Sequence, residues 1–169
     1  MTLHKNLIKK WINTSKGWGI FVKEPIKKGE VVMIDSGRVL TAQEYFSLSP
    51  EQQNLTYQID FDKVIVPNDF NHISDEWFVN HSCTPNTILS QGTWIASKDL
   101  NEGEELTHDY ALVWTNDLEP FEINPCLCGS KNCRGKMTGD DWKISELQEK
   151  YKNQFMPYVM EKIEKAHRP

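Results

Sequence analysis

Between Gly17 and Thr107, short apolar runs alternate with turn-forming pairs at intervals too brief for helices. Ile20-Phe21-Val22, Val31-Val32-Met33-Ile34, Val64-Ile65-Val66 and Thr93-Trp94-Ile95-Ala96 are rich in β-branched and aromatic residues. Lys28-Gly29, Ser36-Gly37, Pro67-Asn68, Gln91-Gly92 and Glu102-Gly103 punctuate them. The pattern predicts packed strands. Ile26-Lys27-Lys28-Gly29-Glu30 and Leu100-Asn101-Glu102-Gly103-Glu104 repeat one apolar-x-x-Gly-Glu spacing, which reads as shared turn chemistry. Thr41 with Glu44 three residues on reads as a capping box opening a short helix, and Ser49-Pro50-Glu51 opens another. From Asp140 the period changes. Trp142, Leu147, Tyr151, Phe155, Val159 and Ile163 recur near helical spacing, with Pro157 placed to kink or restart the helix. This predicts an amphipathic helical cap whose apolar stripe packs on the sheet core.

The chain of 169 residues suits one compact domain. Its 19 Lys and Arg against 24 Asp and Glu leave a net charge of −5, which argues against direct nucleic-acid binding and suits a basic peptide partner. No apolar run is long enough for a membrane span, and the start, Met1-Thr2-Leu3-His4-Lys5-Asn6, lacks the apolar stretch of a secretory signal. An intracellular location is expected, cytoplasmic, or nuclear in a eukaryote. In a reducing compartment the uneven cluster Cys83, Cys126, Cys128 and Cys133 reads as metal ligation before disulfides.

Four segments concentrate chemistry: Lys16-Gly17-Trp18-Gly19, Asn80-His81-Ser82-Cys83-Thr84-Pro85-Asn86, Gly103-Glu104-Glu105-Leu106-Thr107-His108-Asp109-Tyr110 and Cys126-Leu127-Cys128-Gly129-Ser130-Lys131-Asn132-Cys133-Arg134-Gly135. In this order and at these separations the chain resembles the SET-domain protein lysine methyltransferases with a post-SET zinc motif. The likeness covers roughly residues 15 to 138 and rests on four ordered motifs. It implies a mainly β fold of small curved sheets with a pseudoknot. The expected division is a SET domain over 1–120, a post-SET zinc segment over 121–138 and a C-terminal helical extension over 139–169.

Cys126-x-Cys128-x₄-Cys133 supplies three thiolates, and a structural zinc needs a fourth ligand. Cys83 remains, at the position where the family places that ligand. His72 or His4 as a replacement, and four inert buried thiols, are the weaker readings. The resemblance further implies S-adenosylmethionine as co-substrate. Lys16, Gly17, Trp18, Asn80, His81 and Tyr110 would hold it, with Leu127 and Met137 closing over its adenine. Core packing is the competing reading for Trp18, and a simple turn role for Asn80. The resemblance makes Tyr110 the catalytic residue, its hydroxyl aligning the lysine amine, and places Tyr57, His108 and Asp35 along the substrate channel.

Three positions depart from the family pattern. His108 stands where a Phe or Tyr is usual, Asp35 where a tyrosine is common, and Trp77 where an arginine is frequent. A titrating His108 in the channel implies a rate that rises with pH through the histidine range. Acidic residues Asp60, Asp62, Asp69, Asp75 and Glu76 offer a rim for a Lys/Arg-rich peptide, with a solvated surface as the simpler reading. The function expected is methyl transfer to a lysine side chain of a basic protein, histone or other. The alternative is a module that binds S-adenosylmethionine or a basic peptide without turnover; a purely structural zinc protein ranks last. Oligomeric state, target lysine and degree of methylation are not encoded in any motif.

Overall fold

The computed structural model describes residues 3–90 and 93–168. In chain order the strands and helices are β1 (Leu7–Asn13), β2 (Gly17–Val22), β3 (Val31–Ile34), β4 (Arg38–Thr41), α1 (Ala42–Tyr45), α2 (Pro50–Gln53), β5 (Tyr57–Asp60), β6 (Lys63–Val66), β7 (Asn80–His81), β8 (Thr87–Ser90), β9 (Thr93–Ala96), β10 (Glu105–His108), β11 (Glu122–Ile123), β12 (Met137–Thr138), α3 (Ser145–Tyr151) and α4 (Pro157–His167). The fold is mainly β, as expected. All four predicted strands form, and both short helices open on capping boxes, at Thr41 with Glu44 and at Ser49 with Gln52. The turn expected at Gln91-Gly92 lies outside the described residues.

Packing divides the chain into two units, each assembled from three stretches. One comprises Met1–Asp35, Ile73–Asp109 and Cys126–Gly135; the other comprises Ser36–His72, Tyr110–Pro125 and Lys136–Pro169. In the first unit, sheet order β1-β2-β10-β7 joins antiparallel β2 to β10, and β10 runs parallel to β7. A second sheet runs β3-β9-β8, all antiparallel. Ile20, Val22, Val32, Trp94 and Leu106 are sealed from solvent between these strands.

The repeated apolar-x-x-Gly-Glu segments belong to this unit, and they pair with each other. Ile26 and Leu100 exchange backbone hydrogen bonds of 3.0 and 2.9 Å. Each is followed by a turn whose glycine, Gly29 or Gly103, adopts φ near the left-handed region, at 88° and 86°. The glutamate that ends each turn reaches back to accept from the backbone N–H at its start, Glu30 from Lys27 and Glu104 from Asn101. The shared spacing is shared turn chemistry, applied twice on either side of one bridge.

In the second unit, β4-β6-β5 forms an antiparallel sheet, and β11 pairs with β12. Leu40, Tyr45, Val64 and Val66 form its core, with Leu48, Phe70 and Leu118 packed on it. Gln58 is fully buried and satisfied: its amide oxygen accepts from Thr115 N and Oγ1 at 3.1 and 3.0 Å, and its amide nitrogen donates to Asp60 O.

The C-terminal stripe packs along most of its length: Trp142, Leu147, Tyr151, Phe155 and Val159 are buried, and Ile163 near its end is half-buried. Pro157 restarts the helix as its first residue. Met156 N donates to Leu112 O, the Tyr158 hydroxyl donates to Val113 O, and Lys162 is 2.5 Å from Asp117. The helical cap therefore holds the turn beginning at Tyr110 in place.

Candidate functional site

Lys16 stands just before β2 and Gly17-Trp18-Gly19 open it, while the Asn80–Asn86 motif begins in β7 and continues through the loop after it. One side chain joins them. Asn80 Nδ2 donates to the Trp18 carbonyl and to Glu105 Oε1, both at 2.9 Å. Glu105 also binds Lys16 Nζ at 3.0 Å. The two glycines serve different ends. Gly17 takes φ of 70° with open space beside it, whereas a Cβ at Gly19 would lie 2.9 Å from Glu105 Oε1 and 3.0 Å from Asn80 Nδ2. The close approach therefore belongs to Gly19. Trp18 is 43% exposed, its indole edge-on to Trp11 at 5.4 Å with Lys9 Nζ above it. It is not a core residue.

Asn86, at the far end of the same motif, completes the hydrogen bonding of β10 as a strand would. Its Nδ2 donates to Glu105 O and its Oδ1 accepts from Thr107 N, each at 2.9 Å. Asn80 and Asn86 together grip β10, so the motif and the strand leading to Asp109 form one rigid assembly.

Asp109 is fully buried in this unit. Arg134 binds it in a two-point fork, Nη1–Oδ2 at 2.7 Å and Nη2–Oδ1 at 2.8 Å, and His81 Nδ1 lies 3.6 Å away. The His81 Nε2 faces Cys83 Sγ at 3.3 Å, and Arg134 N donates to the same sulfur. His81, Cys83, Cys126 and Cys128 place their donor atoms within 4.8 Å of one another. Cys83 Sγ and Cys126 Sγ are 3.9 Å apart, close to the roughly 3.8 Å that two thiolates at about 2.3 Å from one tetrahedral ion would have. Cys133 adjoins the same group, hydrogen-bonded to Cys126 and Cys128. The Cys/His cluster has the donor chemistry of a zinc site.

The thiols differ in acidity. Burial raises Cys83 to about 12 and also raises Cys126. Burial opposes ionisation of Cys128 too, but backbone hydrogen bonds from Cys83 and Ser130 outweigh it and bring that thiol down to about 6. Reasoning from spacing overlooked His81 as a potential ligand because it weighed only His4 and His72. The available signal was the single-residue gap between His81, which ends β7, and Cys83 in the loop after it. Glu105 and Arg134 were also overlooked, since their importance lies in partners far along the chain.

Residues 17–111 match the SET domain family. The chain is a member of the SET-domain family. It is 33% identical over 151 residues to the histone-lysine N-methyltransferase ash1 of Drosophila melanogaster, covering 83% of this chain and 7% of that protein. It is 30% identical over 134 residues to the human histone-lysine N-methyltransferase SETD1B, covering 71% of this chain and 6% of the relative. With the H3 lysine-9 specific histone-lysine N-methyltransferase KMT1 of Fusarium mangiferae it shares 30% identity over 154 residues, covering 70% of this chain and 45% of that one. The SET chain thus spans less than half the length of these curated relatives.

The remaining expected site residues distribute between the two units. In the first, His108 stacks on Trp94 with centroids 4.4 Å apart and planes 21° from parallel, and Trp94 Nε1 donates to Asp35 Oδ1 at 3.0 Å. Leu127 is 51% exposed. In the second, Tyr110 opens a 3-10 turn and is half-buried, Tyr57 pairs with Ile65 across β5 and β6 with its hydroxyl buried, and Met137 is fully buried in β12. An exposed leucine is available to cover a ligand; a methionine with no open surface serves packing. Trp77 is half-buried in a 3-10 turn preceding β7.

The acids of the expected rim each have a local partner within their own unit. Asp60 and Asp62 flank Lys63 at 3.0 and 3.9 Å, Asp69 binds His72 and Asp75 binds Lys9, both at 2.8 Å, while Glu76 is buried and accepts from Ser74 Oγ. Two lysines, Lys9 and Lys63, offset part of the charge of these five acids. Among the described residues, no helix is long and apolar enough to cross a membrane.

The pH expectation for His108 also changes. Burial strips hydration from its imidazolium, His81 adds a smaller repulsion and Asp109 offsets only part of it, so the pKa falls to about 3. His108 stays neutral across the ordinary histidine range, and a rate inflection from it is not expected there. Its effect moves to stability. The unfolded chain, with a histidine pKa near 6.5, binds the proton that the fold refuses, so stability is fully present above about pH 6.5 and lost as pH falls toward 3. Urea unfolding at about pH 7 and about pH 5 should show a drop in wild type that shrinks in His108→Phe; equal drops in both proteins would count against burial as the cause.

Replacing Arg134 removes the guanidinium that balances a carboxylate with no access to water. Arg134→Ala should destabilise the fold by about 3–5 kcal/mol in denaturant melts, with Asp109→Asn/Arg134→Ala recovering part of the loss. An Arg134→Ala protein as stable as wild type would show that the fork carries no structural weight.

Proposed function

We propose that the chain is a protein-lysine N-methyltransferase that uses S-adenosylmethionine and methylates a lysine of a basic protein. The observation that carries this reading is the Asn80 bond to the Trp18 carbonyl, which draws the first and second motifs of a SET domain together although they lie 62 residues apart. The relatives are named histone-lysine N-methyltransferases, which favours a histone among basic substrates.

The residues present suit the co-substrate. Gly19 keeps the space beside Asn80 free of a side chain, Trp18 offers an exposed indole, and Leu127 offers an exposed apolar group. Lys16, Gly17, Trp18, Asn80, His81 and Tyr110 are assigned to holding it and Leu127 to covering it, with Met137 supporting from the core. When bound it supplies an electrophilic methyl group on a sulfonium. The chain need only align an amine with that methyl, since no covalent enzyme intermediate is required. Tyr110 performs this alignment through its hydroxyl. Its backbone is held by the helical cap, which fixes the next residues through Met156 and Tyr158.

The incoming lysine must be neutral to attack, a state held by about one free lysine in 2,500 at pH 7. A half-buried, neutral His108 adds no positive charge and offers an aromatic wall, both of which suit an uncharged amine. Tyr57, His108 and Asp35 are assigned to the channel. The SET domain proper over 1–120, the zinc segment over 121–138 and the helical extension over 139–169 remain the proposed division of labour along the chain.

Zinc is proposed to be held by Cys83, Cys126, Cys128 and Cys133, with His81 packed against Cys83. Its role is structural: it ties the cysteine segment to the loop after β7. Metal analysis of the purified protein should give one zinc per chain. Cys83→Ser should lower zinc content and melting temperature together; full zinc and unchanged melting would remove Cys83 from the site.

Incubation with labelled S-adenosylmethionine and a panel of histones and other basic proteins tests the activity. Tyr110→Phe should keep the fold and most co-substrate affinity but lose turnover by about a hundredfold or more, as expected when a group acts only in the transition state. Co-substrate binding without label transfer to any protein would favour the non-catalytic binding module instead.

A further inference from the structure

His108 and Asp35, two of the positions where this chain departs from its family, meet the same residue. Trp94 is 1% exposed and sits in the middle strand of β3-β9-β8, where it pairs with Met33 on one side and Leu89 on the other. Its indole stacks on the His108 ring, centroids 4.4 Å apart and planes 21° from parallel. The edge of the same indole donates its only N–H to Asp35 Oδ1 at 3.0 Å. Asp35 directly follows β3, so the strand pairing that sets Met33 beside Trp94 also sets the carboxylate at the indole nitrogen.

We infer that Asp35 and Trp94 act as one positioning unit for His108: the carboxylate fixes the indole, and the indole fixes the plane of the imidazole. The chemistry requires the pair. A tryptophan buried this deeply needs an acceptor for its N–H, since indole can donate and never accept. An offset or stacked aromatic contact holds a ring in one plane only if its partner is itself held. The hydrogen bond to Asp35 removes the freedom of Trp94 to rotate about its side-chain bonds, and the stacked surface passes that restraint to His108. Asp35 therefore acts through Trp94. Trp94 and Asp35 are positioning residues on this reading, which moves Asp35 from lining the lysine channel to acting behind His108, the group that keeps its channel assignment.

This rests on the methyltransferase reading for its consequence: the orientation of His108 decides how much room a partly methylated amine has to turn for a second transfer. Disturbing the hydrogen bond should therefore alter the ratio of mono- to higher-methylated product more than the rate of the first transfer. The departures at Asp35 and His108 should also be coupled to each other, because each is felt through one tryptophan.

The test uses the full chain and four variants: Asp35→Asn, Asp35→Leu, Trp94→Phe and His108→Phe. Asp35→Asn keeps a carbonyl oxygen to accept from the indole, whereas Asp35→Leu removes the acceptor. Trp94→Phe keeps an aromatic ring to stack and loses the N–H. The first readout needs no activity: nuclear magnetic resonance of the His108 ring protons and the Trp94 indole N–H. Asp35→Leu should move both sets of signals, and Asp35→Asn should restore the His108 positions toward wild type. The second readout is product mass spectrometry on a histone-derived lysine peptide. Asp35→Leu and Trp94→Phe should shift the mono-to-higher ratio in the same direction by about two- to tenfold, the span expected for loss of one hydrogen bond, with Asp35→Asn close to wild type. In a His108→Phe background, Asp35→Leu should change the ratio less than it does alone.

Unmoved His108 signals in Asp35→Leu would overturn the inference, as would product ratios that respond to Asp35 and His108 independently. A wild-type protein that transfers no methyl group to any substrate would instead refute the proposed activity, and the resonance experiment would still decide whether Asp35 holds Trp94 and His108 in place.

Discussion

A carboxylate without access to water organises the first unit. Asp109 lies between His108 and Tyr110 in the chain, and its buried charge has to be balanced within the protein. Arg134 supplies a planar fork that matches both oxygens, and His81 stands behind them. Satisfying this one group places residue 134 beside residue 109 and sets the cysteine segment against β7 and β10. The geometry of the Cys/His cluster follows, because Arg134 N also donates to Cys83 Sγ.

The cysteine cluster and the ion pair therefore reinforce each other from opposite ends of a short segment. Cys126 and Cys128 enter from one end and Arg134 leaves at the other, with Cys126 N bonded back to Gly135 O at 2.7 Å. Burial disfavours the thiolate forms of Cys83 and Cys126, so the cluster is electrostatically costly when it must carry charge without a cation. A divalent metal bound there would offset that cost, as Arg134 offsets the neighbouring one at Asp109. The same logic of paired burial recurs in the second unit at Gln58, where an amide with no solvent is satisfied by Thr115 and Asp60.

Polar side chains also replace backbone in the strand network. Asn86 extends β10 by imitating a strand edge, and Asn80 bridges the Trp18 carbonyl to Glu105. Asn86 uses both the donor and the acceptor of its amide, whereas Asn80 spends both N–H groups of its amide nitrogen on two acceptors. The loop after β7 is thus rigid for reasons independent of its cysteine. The surface acids behave differently: Asp60 and Asp75 each find a lysine nearby, Asp69 finds the His72 ring, and all remain local.

The sequence by itself determined the local elements and the inventory of chemistry. Predicted strands at Ile20, Val31, Val64 and Thr93, the capping boxes at Thr41 and Ser49, and the helical stripe ending with Val159 all rest on neighbours within a few residues, and local sterics and periodicity suffice to define them. The ordered motifs likewise identified the SET family, because residue type and spacing are properties of the chain. Short strands such as β7, β11 and β12 carried no such signal, since two residues have no period and form only where a distant partner awaits them. Tertiary structure alone decided that Gly19 and not Gly17 makes the close approach, that Arg134 answers Asp109, that His81 joins the cysteines, and that Asp35 and His108 share Trp94. Each of these depends on distance and on exclusion of water between residues far apart along the chain. That is why the expected titration of His108 gave way to a neutral ring: a pKa belongs to an enclosure, and the enclosure exists only after folding.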